Sequence, residues 1–346
     1  METIQITDAE SGATAEIAPQ LGLNCFSYQV PAGDNDTADA PLVELLWAAE
    51  EFRGGNERPS GSGIPILFPF PGRIGGAKFR YDGREYELEP ADGLGNAIHG
   101  FAYTRPWRVL RQEANLLEAQ FTASLDDPVI LKSWPGDFQI TATYSIAAGE
   151  LTLRLRMENP GETPCPWGLG LHPYFRLPVG RLGDLAAGKS SEGGAAGDCT
   201  LQVPVGHAWE LQDMLPTGHV VAASAIEGVG AKGGQAGGDL AAGVRLEEGH
   251  LDDVFAGVNF VDGVATSRIQ DGRSGRTIRV SWSEVFRECV LYTPGHREAV
   301  CVEPYTCVPD AYRLEELGSG EELGGTGLRV LAPGESAEAW MKIALE

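Results

Sequence analysis

The stretch FQITATYSIAAGELTLRLRM, residues 138–157, decides the reading of the fold. Phe138, Ile140, Ala142 and Tyr144 alternate with polar or small residues, and Leu151, Leu153, Leu155 and Met157 alternate with Thr152, Arg154 and Arg156. Successive side chains of an extended chain point to opposite sides, so each run has one apolar face to bury and one wet face. The link at Ala147–Glu150 makes them an antiparallel hairpin. A second hairpin is expected at Phe79–Leu88, where Asp82-Gly83 supplies the positive φ angles of a two-residue turn between KFRY and REYE.

Further strand candidates lie at Thr3–Thr7, Gly22–Val30, Trp107–Gln112, Leu116–Ser124, Leu201–Val205, Val254–Phe260, Thr277–Trp282, Val290–Thr293, Ala299–Val302 and Glu338–Leu345. Helix-period segments are scarce. Strands that recur with turn signals and no helices between them predict an all-β chain, a large antiparallel sandwich rather than a parallel α/β sheet. One domain over residues 1–346 is expected. Two stretches rich in Gly, Ala and Ser, 180–197 and 222–243, read as surface loop insertions that add little to a core.

The bulk numbers limit what the protein can bind. The 46 glycines and 22 prolines among 346 residues suit many turns between short strands. With 26 Lys and Arg against 49 Asp and Glu, the formal charge of −23 repels phosphate backbones and anionic lipid, so neither nucleic acid nor a membrane is an expected partner. A neutral small molecule fits better. The opening METIQITDAESG lacks a basic and apolar secretory leader, and no apolar run approaches the ~18 residues of a membrane span, so a cytoplasmic protein is expected. Six cysteines form no CxxC pair, which argues for reduced, buried thiols rather than a zinc knuckle or a redox motif.

Four short segments hold a titratable or cationic side chain beside residues that restrict the backbone: PGRI at 71–74, NAIHGF at 96–101, LHPYF at 171–175 and VEPYT at 302–306. Such a setting suits a group that must keep one orientation. Each segment alone is a weak signal, since a His beside Gly is more often a structural, hydrogen-bonded histidine than a catalyst, and spacing does not bring His99, His172 and Glu303 together.

Taken in order, with GRIGGAKF ahead of them, NAIHGF, LHPYFRL and VEPYT resemble the signature of the aldose 1-epimerase (galactose mutarotase) family. The resemblance runs from about Ile64 to the C-terminal strand and implies a many-stranded β-supersandwich. It implies His172 as general acid and Glu303 as general base. Arg73 and His99 would hold sugar hydroxyls and the region of the ring oxygen, and Asp252 would bind hydroxyls, with Asp253 competing for that role. It implies no cofactor and no metal. The substrate would be a small sugar, and the oligomeric state stays open between monomer and homodimer.

The chemistry explains these residue types. Opening a pyranose hemiacetal needs a base for the C1 hydroxyl proton and an acid for the ring oxygen, and closure on the other carbonyl face exchanges the roles. An unperturbed Glu titrates near ~4.3 and His near ~6.5, so Glu303 is expected as a carboxylate, whereas His172 needs a raised pKa or a carboxylate beside it to be charged. Phe101, Trp167, Tyr174, Phe175 and Tyr305 are candidates to stack on a sugar ring. Three other readings compete. Two histidines and a glutamate could form a facial metal site. A hexose-6-phosphate 1-epimerase often follows HGFA with an arginine where this chain has Tyr103, Arg105 coming two positions later. A silent sugar-binding protein could use the same fold.

Overall fold

The computed structural model describes residues 1–31, 41–180, 195–230, 237–246 and 249–346. Most of the expected 180–197 loop lies outside these residues.

Alternating burial makes the 138–157 region two paired strands, Gln139–Ala147 and Glu150–Glu158, with Ile140 opposite Met157 and Ile146 opposite Leu151. Ala148 and Gly149 both take positive φ in the turn, which matches the right-handed twist of the strands they join. Asp82 and Gly83 do the same between Lys78–Tyr81 and Arg84–Glu87. The long hairpin sits inside a nine-stranded sheet ordered Arg108–Glu113, Leu116–Thr122, Gln139–Ala147, Glu150–Glu158, Ser336–Leu345, Thr277–Ser283, Val264–Asp271, Cys199–Gln202, Val244–Arg245.

An eight-stranded sheet runs Leu215–Ala222, His207–Gln212, Asp252–Ala256, Glu288–Tyr292, Ala299–Tyr305, Gly170–Leu171, Ile66–Leu67, with Tyr174–Arg176 also on Ala299–Tyr305. A four-stranded N-terminal sheet spans Ile4–Thr7 to Leu42–Glu44. Every pair of named strands is antiparallel, as expected. One apolar cluster takes Ile140, Tyr144, Leu153 and Met341 from the large sheet and Phe255, Leu291, Val300 and Val302 from the second, so the two pack on a common core. Cutting back one such buried Leu would cost about 2–5 kcal/mol.

Two expectations change. The strand expected at Ala299–Val302 continues to Tyr305, pairing through Pro304 with Cys289, and all seven residues are buried. The described part of 222–243 also does more than cover the surface: Val229 and Leu240, each 2% exposed, join the core. They are isolated apolar residues in a Gly-rich context, where no periodicity announces burial. Among the described residues, no helix is long and apolar enough to cross a membrane.

Candidate active site

The fully buried strand Ala299–Tyr305 presents its two faces to different surroundings. Val300 and Val302 point into the common core, while Cys301, Glu303 and Tyr305 alternate onto the other side. There a cavity of about 290 Å³ opens, near the lower end of the ~300–1,000 Å³ usual for small-molecule sites. Arg73, His99, His172, Asp252 and Glu303 all line it.

Glu303 is 1% exposed and His172 7%. The Nε2 of His172 lies 3.3 Å from Glu303 Oε1, and the Tyr305 hydroxyl donates to Glu303 Oε2 at 2.7 Å. His172 follows the short strand Gly170–Leu171, its backbone N–H donates to Pro65 O, and its ring stacks on Tyr174 at 4.7 Å and 3°. The Tyr174 hydroxyl is tied to Ser60 O, so the imidazole plane is fixed from behind. Burial pushes Glu303 well above the ordinary glutamate range, outweighing the Tyr305 hydrogen bond. Burial pulls His172 down to about 3, and the charge of Arg58 acts in the same sense. Both directions favour the uncharged forms, a protonated Glu303 beside a neutral His172. The carboxylate partner expected for His172 is therefore present, but desolvation moves both groups opposite to the sequence expectation.

Arg73 and His99 ride on a two-stranded ribbon, Arg73–Ile74 with Ala97–Ile98. His99 sits at φ 69°, costly for a residue with a Cβ, and its N–H donates to Gly72 O. The next residue must be glycine: Gly100 has φ 71°, and a Cβ there would lie 2.3 Å from Phe68 O. The imidazole of His99 stands edge-on to His172 at 5.6 Å, and burial holds its pKa well below the usual value, with the charges of His172, Arg58 and Arg73 adding to the effect. The Nε of Arg73 donates to Asp92 Oδ2 at 3.1 Å. Asp92 is held near 2 because hydrogen bonds from Asn96, Leu94 and Arg73 overcome its burial. Asn96 of NAIHGF thus serves this clamp rather than the cavity.

Asp252 opens the strand Asp252–Ala256 and lines the cavity. The surrounding walls desolvate it and push its pKa up, which Arg73 counteracts. Asp253 does not line the cavity, so period two separates the neighbouring aspartates.

Of the five aromatic candidates only Tyr174 and Tyr305 line the cavity. Trp167 is 1% exposed, beside Phe68, with the Arg329 guanidinium over its ring, so it belongs to the packing. Arg105 is bound to Asp127 and stands outside the cavity lining. Sequence reasoning missed Arg58, Asp92 and Tyr292. Arg58 lines the cavity, has no ion pair among the described residues, and lowers the pKa of both histidines. It lies in a charged, Gly-rich stretch before Pro59 that reads as an ordinary loop.

The antiparallel layers and this cavity define a galactose mutarotase-like fold. A galactose mutarotase-like protein from Clostridium acetobutylicum superposes with a TM-score of 0.77 at 21% identity, covering 100% of this chain and 96% of that one. The GalM/aldose epimerase homologue from C. elegans gives 0.74 at 17% identity, with 100% and 98% covered. Residues 32–344 match the family model described as aldose 1-epimerase, and the chain belongs to that family. Among sequence relatives, the uncharacterized protein YphB of Escherichia coli K12 is 25% identical over 295 residues, 81% of this chain and 82% of its own length. Family and fold together support an epimerase, an isomerase that works on a carbohydrate.

Proposed function

We propose that the protein is a mutarotase that interconverts the α and β anomers of a free hexose such as glucose or galactose, with Glu303 and His172 as its proton-transfer pair. The observation that carries this reading is the 3.3 Å contact between an imidazole and a carboxylate on the wall of one small cavity. A sugar whose C1 hydroxyl meets Glu303 and whose ring oxygen meets His172 finds both groups needed for ring opening. The pair holds one proton. Hydrogen bonding from Tyr305 and the charge of Arg73 favour the carboxylate form of Glu303, and the sugar hydroxyl adds a further donor. The proton then resides on His172, which gives it to the ring oxygen while Glu303 accepts the one from O1. Rotation about C1–C2 and closure on the other face return both protons. Arg73, His99 and Asp252 hold the hydroxyls.

An unphosphorylated substrate suits a chain of formal charge −23 whose Arg105 is already engaged by Asp127. Cys25, Cys165, Cys289, Cys301 and Cys307 are free and buried, which suits a reducing compartment, and we assign the protein to the cytosol. Polarimetry of α-glucose, α-galactose and α-glucose 6-phosphate is the test. Acceleration of the neutral sugars is expected. Acceleration of the phosphate alone would transfer the protein to the sugar-phosphate branch, and no acceleration of any would leave a binding protein.

A further inference from the structure

One buried group on the cavity strand takes no part in the proton relay. Cys301 is 0% exposed, is a free thiol, and shares its strand face with Glu303. Its cross-strand partners are Tyr174 and Tyr292, both of which line the cavity. The ligand atoms of His172, Cys301 and Glu303 all lie within 4.8 Å of one another, a grouping that occurs once among the described residues. We propose that these three side chains form a binding site for a zinc-class divalent cation, and that occupancy of this site blocks the proton relay.

Three physical points support the site. Nitrogen, thiolate sulfur and carboxylate oxygen form the mixed donor set that zinc accepts. Ligand atoms around a tetrahedral zinc stand about 3.5 Å apart, given bond lengths of ~2.0–2.3 Å. The His172–Glu303 contact of 3.3 Å already matches that spacing, and Cys301 needs to approach by about 1.3 Å at most. Charge is the second point: one thiolate and one carboxylate cancel a dication, so the occupied site would carry no net charge in a place where an unbalanced charge is expensive. The third is support from outside the ligand set. The Tyr305 hydroxyl orients Glu303 through Oε2, leaving Oε1 for the ion, as a second shell does. The fourth coordination position would face the cavity, where a water or a sugar hydroxyl can enter.

The ion and the shared proton exclude each other. Zinc takes the electron pairs of His172 Nε2 and Glu303 Oε1 that carry the proton between them, and the Cys301 thiol releases its own proton to bind. That consequence for turnover rests on the mutarotase reading, whereas binding does not.

Calorimetric titration of the full chain with ZnCl2 is expected to show one tight site per chain, and Co2+ is expected to give a thiolate-to-cobalt charge-transfer band. Cys301→Ala should weaken zinc binding at least tenfold and abolish the band, with an unchanged melting temperature showing that it is folded. Wild type lacking the cobalt band, or binding zinc no more tightly than Cys301→Ala, would overturn the site; the cobalt spectrum needs no variant, so misfolding cannot hide the answer. In polarimetry, micromolar zinc should slow the wild type and spare Cys301→Ala, whose metal-free rate should equal that of wild type. Equal slowing of both would also overturn it. A metal-free wild type without mutarotation would instead refute the function proposed above and leave the binding results to judge the site.

Discussion

Replacing Tyr305 by Phe removes one oxygen atom from the candidate site and leaves the ring in place. That oxygen donates to Glu303 Oε2 at 2.7 Å inside a fully buried surrounding. A hydrogen bond to a charged group contributes about 1.5–3 kcal/mol, more than one to a neutral carboxyl, so it favours ionised Glu303, the form proposed to take the C1 hydroxyl proton. Losing it should raise the barrier by about that amount, a fall in kcat of about tenfold to a hundredfold at 1.36 kcal/mol per decade. KM should move little, since Tyr305 supports the carboxylate and is not counted among the hydroxyl-binding groups. Glu303 should also become harder to ionise, so the alkaline limb of the pH–rate profile should move to higher pH. Polarimetric mutarotation of α-galactose, corrected for the spontaneous rate, measures both effects, with a thermal melt alongside. A kcat within twofold of wild type and an unmoved alkaline limb would refute the role given to this hydroxyl.

His172→Ala and Glu303→Gln should each slow mutarotation by about 10²–10⁴-fold with melting retained, and near-normal rates in either, read by polarimetry, would remove the proton-transfer pair. The wild-type profile should be bell-shaped, because the pair works with one proton. Its acid limb, where His172 gains a second proton, should lie well below the ordinary 6.5, towards about 3; its alkaline limb, where the last proton leaves Glu303, should lie above the ordinary carboxylate range. Arg58→Gln removes a positive charge that opposes the imidazolium, so the acid limb should rise slightly, with a salt-sensitive shift because Arg58 is exposed. Gly100→Ala should lower stability by about 1–3 kcal/mol or more, seen in a denaturant melt, since positive φ and the Phe68 carbonyl both resist a Cβ.

The parts of the fold that were legible in the sequence are those with one wet face. The strands Gln139–Ala147, Glu150–Glu158 and Val264–Asp271 of the large sheet alternate cleanly, and the 138–157 and 79–88 hairpins announce themselves by pattern and turn chemistry. The strand Ala299–Tyr305 did not show its full length because both of its faces are buried, which erases alternation, and Pro304 reads as a stop. The candidate site residues stand in short motifs, yet their meeting on one cavity depends on long-range pairing that spacing does not encode. Asp92 and Arg58 escaped because each sits in a polar loop where charge is the common case. The direction of the Glu303 and His172 shifts was missed for a related reason: desolvation is set by neighbours from several strands, and no local window contains them.

The central position of the strand that carries Glu303 has a consequence for how this protein can diversify. Moving the proposed base would mean shifting a backbone clamped by strands on either side, which disturbs the whole interior. Arg58, Leu211, Met214 and Asp252, by contrast, line the same hollow with side chains that are exposed or half-buried. Mutation can reshape that rim without touching the buried Glu303 and His172, so under the proposed mechanism sugar preference can drift between descendants while the reaction itself is inherited unchanged.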